Sequence, residues 1–118
     1  MKKSLFLLAI TVLMMSLLVT AKSMTLHAKA AEQQPTSTME VKVQNFAFAP
    51  PTLTVPVGTQ VTWINKDDTV HNIVDKNKAF KSKALDTNEK FSYTFDKPGT
   101  YSYFCALHPQ MKGTVEVK

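Results

Sequence analysis

Three side chains near the C-terminus carry the chemistry of this sequence. Cys105, His108 and Met111 are each separated from the next by two residues in the run Cys105-Ala106-Leu107-His108-Pro109-Gln110-Met111. A thiol, an imidazole and a thioether are soft or borderline donors, and a second imidazole stands 34 residues upstream at His71. Taken singly, a lone cysteine is more often a small buried hydrophobe, a lone histidine a hydrogen-bonded structural residue, and a methionine gap filler. Together they make two imidazoles, one thiolate and a weak axial thioether, the donor set of a blue copper centre. One copper per chain is therefore expected, held by His71, Cys105, His108 and Met111. The short spacing has a mechanical basis: Cys105 would close a strand, and a tight turn would bring His108 and Met111 back around the same ion. His71 would arrive from a different strand, so only a folded scaffold can complete the set.

The loop, with Val61-Thr62-Trp63-Ile64-Asn65, His71-Asn72 and Pro98-Gly99-Thr100-Tyr101, resembles the cupredoxins. Within them it is most similar to the amicyanin and plastocyanin-like branch, because two residues between the second His and the Met is the short loop of amicyanin. The resemblance spans about residues 39–118 and departs from the amicyanin pattern at Leu107 and Val70, where proline is usual. It implies that Asn72 hydrogen-bonds across to the cysteine segment and that amides around Cys105 tune its sulfur, the outer contacts such sites need.

The elements that must position these ligands are strands. Val41, Val43, Phe46 and Phe48 follow a period near two with a slip at Asn45, and Pro50-Pro51 breaks the run. Leu53, Val55 and Val57 alternate again, Gly58-Thr59 turns, and Val61 and Trp63 read as the return arm of a hairpin. Asn65-Lys66-Asp67-Asp68 is a loop delivering His71, and a short strand covers residues 71–74. Asp75 to Lys90 is polar, and its lysines (Lys76, Lys78, Lys81, Lys83) fit a solvated connection whose charges discourage edge pairing better than a docking patch. Phe91, Tyr93 and Phe95 form another strand, and Tyr101 is placed as a tyrosine corner would be. Tyr101 and Tyr103 share a face with Cys105, and Val115 and Val117 point inward after Gly113. About seven to eight short strands without helical period predict an all-β, antiparallel Greek-key sandwich, cupredoxin-like in form.

At the other end of the chain, Lys2 and Lys3, an uncharged apolar run from Leu5 to Val19, and Ala28-Lys29-Ala30 have the form of an export signal over residues 1–30, with retention as an anchor the alternative. Residues 31–38 are expected to be a flexible lead-in and 39–118 the domain. The product would be exported, to the periplasm or the extracytoplasmic envelope. The chain carries +5, with 14 lysines and no arginine, but four lysines lie in the first 30 residues, and without them the balance is ten lysines against nine acids. With no arginine and no basic stripe, nucleic-acid binding is excluded. A single cysteine rules out an internal disulfide, and copper coordination explains how an exported protein keeps one thiolate.

No Ser-His-Asp set or acidic pair is evident, and four protein ligands leave no open metal position, so an enzyme is not expected. The function expected is single-electron transfer by Cu(I)/Cu(II) cycling, with copper delivery in the envelope as the alternative. Partners would be transient redox proteins, a dehydrogenase and a cytochrome being the pairing that the resemblance suggests. No small-molecule substrate is expected, and the chain should act as a monomer.

Overall fold

The structure, a computed structural model, describes Pro35 and residues 37–118; the expected export signal and most of the lead-in lie outside the described residues. Eight strands follow in order: β1 (Ser37–Gln44), β2 (Ala47–Ala49), β3 (Thr52–Val55), β4 (Thr59–Asn65), β5 (Val74–Asp75), β6 (Lys90–Phe95), β7 (Gly99–Phe104) and β8 (Lys112–Val117). They form two four-stranded sheets, β2-β1-β4-β6 and β3-β8-β7-β5. Alternation dictates what they bury between them. Val41 and Val43 of β1, Val61 and Trp63 of β4, Tyr103 of β7, and Val115 and Val117 of β8 all turn inward. Trp63 is the centre of this core, with the rings of Phe80, Phe91, Phe95 and Tyr103 within 6.4 Å of its own. Truncating it would cost about 3 to 5 kcal/mol, a large fraction of the stability of a domain with no disulfide.

The all-β sandwich is as expected, but two details differ from the sequence-based expectation. The sheets are mixed and not purely antiparallel: β1 runs parallel to β4, from Ser37 opposite Thr59 to Val43 opposite Asn65, and β3 runs parallel to β8. A period of two tells which face a side chain takes and says nothing of strand direction, so the pattern alone cannot distinguish these pairings. The expected hairpin between Val57 and Val61 is also absent, because β3 and β4 lie in different sheets. Pro56 to Gly58 carries the chain from one layer to the other, with Gly58 at φ 91° and the Thr59 hydroxyl donating to the Pro56 carbonyl at 2.7 Å.

Three further details are local. Ser37 and Thr38 pair with Thr59 and Gln60 at the start of β1, and the Ser37 and Thr59 hydroxyls hydrogen-bond at 2.8 Å. The slip at Asn45 is a complete reversal: Asn45 and Phe46, both at positive φ (55° and 56°), form the two-residue turn of the β1–β2 hairpin, and Phe46 faces outward. The connection after β5 is anchored as well as solvated. Its four lysines are exposed, while Phe80 and Leu85 are buried in the core and the Asp75 carboxylate accepts from the amides of Asn77 and Ala79. The tyrosine corner is present, with the Tyr101 hydroxyl donating to the Lys97 carbonyl at 2.9 Å.

Candidate metal centre

The site sits where β4 and β7 release their chains at one end of the sandwich. β7 stops at Phe104, so Cys105 is the first residue of a closed loop. Its ends are tied by Cys105 N–H to the Met111 carbonyl at 3.1 Å, and its interior by Met111 N–H to the His108 carbonyl at 2.9 Å. β8 leaves at once from Lys112, and Gly113 packs so closely on the Tyr103 phenol that a Cβ there would overlap it. Tyr103 is thereby locked under the loop, and burial pushes its phenol up to about 12, the nearby Trp63 indole offsetting only part of this. Neither polar atom has a well-aligned hydrogen-bond partner among the described residues.

The upstream arm is held by side chains. Asn65, fully buried at the end of β4, donates to the Thr69 and Leu85 carbonyls, both at 2.9 Å, and accepts from the Asp67 amide at 2.9 Å. His71, also fully buried, exchanges backbone hydrogen bonds with Leu85. Its Nε2 lies 2.9 Å from the Asp67 carboxylate. Burial pushes the Asp67 carboxyl up, but the amides of Phe46 and Asn45 and the His71 ring outweigh this and hold it below the usual carboxylate range. An ionised carboxylate can only accept, so the His71 proton sits on Nε2 and its Nδ1 lone pair is left for a metal.

That lone pair faces the cysteine. Cys105 Sγ is 3.8 Å from His71 Nδ1 and 3.8 Å from His108 Nδ1, and a ligand atom from each of the three residues lies within 4.8 Å of the others. Bonds of about 2.3 Å to sulfur and about 2.0 Å to nitrogen spread by about 120° would put those atoms about 3.7 Å apart, so the donors fit one shared ion. Met111 is buried beside them in the core. Cys105 is fully buried, and the amide of Asn72 points at its sulfur from 3.5 Å. Asn72 also accepts from the Ala106 amide at 2.7 Å, the cross-link between the two arms that the sequence led us to expect. His108 is only half-buried and Leu107 is 52% exposed, so this histidine edge faces solvent amid apolar neighbours.

The structure thus brings together His71, Cys105 and His108 and places Met111 at the end of the same loop. It also adds two residues that sequence reasoning did not single out. The sequence marks Asp67 only as part of a delivering loop, although an acid four residues before a ligand histidine is a usable signal. The period places Phe46 in a strand, and its ring instead stands edge-on to both imidazoles.

Comparison with known proteins agrees with this geometry. A family model described as a cupredoxin-like domain matches residues 8–117. Amicyanin-alpha of Methylorubrum extorquens is 35% identical over 95 residues, covering 76% of this chain and 80% of that protein. Plastocyanin of Scenedesmus fuscus is 37% identical over 84 residues, covering 60% and 86% respectively. Among solved structures, a Cu(I) form of a methionine-to-alanine variant of amicyanin superposes with a TM-score of 0.65 at 31% identity, over 69% of this chain and 82% of that one. A purple cupredoxin from Nitrosopumilus maritimus gives 0.63 at 32% identity, over 67% and 98%. This chain belongs to the cupredoxin-like family, and it is a copper protein that carries electrons and is not an enzyme.

Proposed function

We propose that His71 Nδ1, Cys105 Sγ and His108 Nδ1 would hold the copper, with the Met111 thioether as a further, weaker donor. The observation that carries this reading is the convergence of three soft or borderline ligand atoms, S to N 3.8 Å on both sides, with one imidazole already fixed in its ligating tautomer. Copper supplies the one-electron chemistry; the chain's own part is to keep the donors still. Copper(II) prefers tetragonal ligation and copper(I) accepts fewer, softer donors, so ligands that do not move suit both oxidation states. The Asp67 clamp on His71 and the Asn72 cross-link between the arms provide that stillness.

Electrons enter and leave at His108. Its half-buried ring is surrounded by Ala106, Leu107, Pro109 and Gln110, an uncharged collar that excludes water yet is small enough for a partner to leave. Other redox proteins are the partners, met transiently, and the likeness to amicyanin favours a dehydrogenase as donor and a cytochrome as acceptor. Export to the cell envelope, with residues 1–30 as the signal and the chain acting as a monomer, completes the reading. Delivery of copper is less well supported, since that role needs a readily opened site and Cys105 is fully buried.

The test is titration of the copper-free protein with copper(II). One equivalent should produce an intense visible thiolate-to-copper band, and Cys105→Ser should abolish it. Colour that survives the substitution would refute the ligand assignment.

A further inference from the structure

Phe46 occupies a conformation that its residue type disfavours. The turn joining Gln44 to Ala47 has two central residues with φ near +55°, the geometry that selects Asn followed by Gly in two-residue hairpins. Asn45 suits its place. A phenylalanine in the left-handed region does not, since a bulky side chain there is an outlier where glycine is free of penalty. Such backbone strain persists only where surrounding contacts hold it, and it gathers at functional sites. Here the hold comes from Asp67, whose carboxylate accepts the Asn45 amide at 2.7 Å and the Phe46 amide at 3.0 Å. The same carboxylate also fixes His71.

The strained turn sends the ring to a definite place. Its centroid is 5.2 Å from that of His71 and 5.2 Å from that of His108, with interplanar angles of 89° and 84°, while the two imidazoles are 4.9 Å apart. Both contacts are edge-to-face, an arrangement that aromatic pairs favour. The ring is 51% exposed, so it stands between solvent and the buried His71 imidazole and flanks the partly exposed His108 instead of filling the core. Cys105, 3.8 Å from both Nδ1 atoms, has no exposure at all.

We infer that Phe46 is a positioning residue: it locks both imidazoles in their ligating poses before copper arrives and closes this end of the site over Cys105. The inference deepens the ligand assignment above and rests on it for its copper-dependent part. Asp67 then couples two tasks, since one carboxylate orients His71 and seats the cap that braces it against His108.

Phe46→Gly is the informative variant, because glycine relaxes the turn while the ring is removed. In copper-free protein its melting temperature should be equal to or above that of the parent, whereas Cys105 should react with an aromatic disulfide reagent about tenfold faster or more. In the copper-loaded protein, transfer of Cu(I) to a chelator should accelerate by a similar factor, and Phe46→Tyr should restore both slow rates. If the thiol and chelator rates stay at parental values in a stably folded Phe46→Gly, the inference is overturned. It is equally overturned if the melting temperature falls sharply and Phe46→Tyr rescues stability alone, which would make the ring ordinary packing. The thiol assay needs no metal, so a parent protein that fails to colour with copper would defeat the ligand assignment while leaving the cap tested.

Discussion

The two arms of the metal site are built on opposite plans. The upstream arm, from Asn65 to Asn72, is rigidified by side chains: Asn65 spans Thr69, Leu85 and Asp67, and Asp67 clamps His71, itself without solvent exposure. The downstream arm, from Cys105 to Met111, is held by its own short backbone bonds and by strands β7 and β8 on either side, and it leaves His108 and Leu107 open to solvent. One ligand histidine is anchored so that the donors do not move, and the other is presented so that an electron can pass. A site with two anchored histidines would be stable but shut; one with two presented histidines would reorganise with every change of charge.

The contrast predicts unequal responses to substitution. The largest effect belongs to the anchored arm. Asp67→Ala would leave the Asn45 and Phe46 amides and the His71 Nε2–H without their acceptor, which should cost about 2 to 4 kcal/mol of stability by chemical denaturation. It should also lower copper affinity about 10- to 100-fold, as loss of an outer contact to a ligand typically does. Unchanged affinity would show that His71 is positioned by its backbone alone.

Acid should act on the same arm. The Asp67 carboxyl is held below its ordinary value of 3.8, so it contributes stability that is present above that pH and is lost as the pH falls through the folded-state value. Copper-free protein should therefore lose stability on acidification below about pH 4, and Asp67→Asn should flatten that part of the profile. A profile identical in the two proteins would assign acid sensitivity to other groups.

On the presented arm the effects should be functional before they are structural. Met111→Gln exchanges a thioether for a harder oxygen donor, which favours copper(II), so the reduction potential should fall while copper stays bound. Complete loss of copper from this variant would contradict an axial role. Smallest in stability is Leu107→Glu, which alters an exposed side chain and should stay within about 0.5 kcal/mol of the parent. Colour should persist, yet electron self-exchange should slow by about tenfold as like charges meet across the collar. A rate equal to the parent's would place the transfer surface elsewhere on the molecule.

The sequence by itself determined what depends on residue type and short spacing. The Cys105, His108 and Met111 run is closed by bonds within seven residues, the Tyr101 corner by a bond to Lys97, and the inward faces of β4, β6 and β8 by alternation; each was legible because its physics is local. Tertiary structure decided everything that needs a second segment. The parallel pairing of β1 with β4, the crossing from β3 to β4 between sheets, and the burial of Phe80 and Leu85 in a lysine-rich connection all depend on which strand lies alongside. So do the roles of Asp67 and Phe46. Nothing near Gln44 announces a left-handed Phe46, because the force that holds it is a carboxylate 21 residues further along the chain. Hydrogen bonds over such separations form only once the sheets have brought their ends together. The sequence could therefore name the ligands, but only the folded sandwich could say what keeps them still.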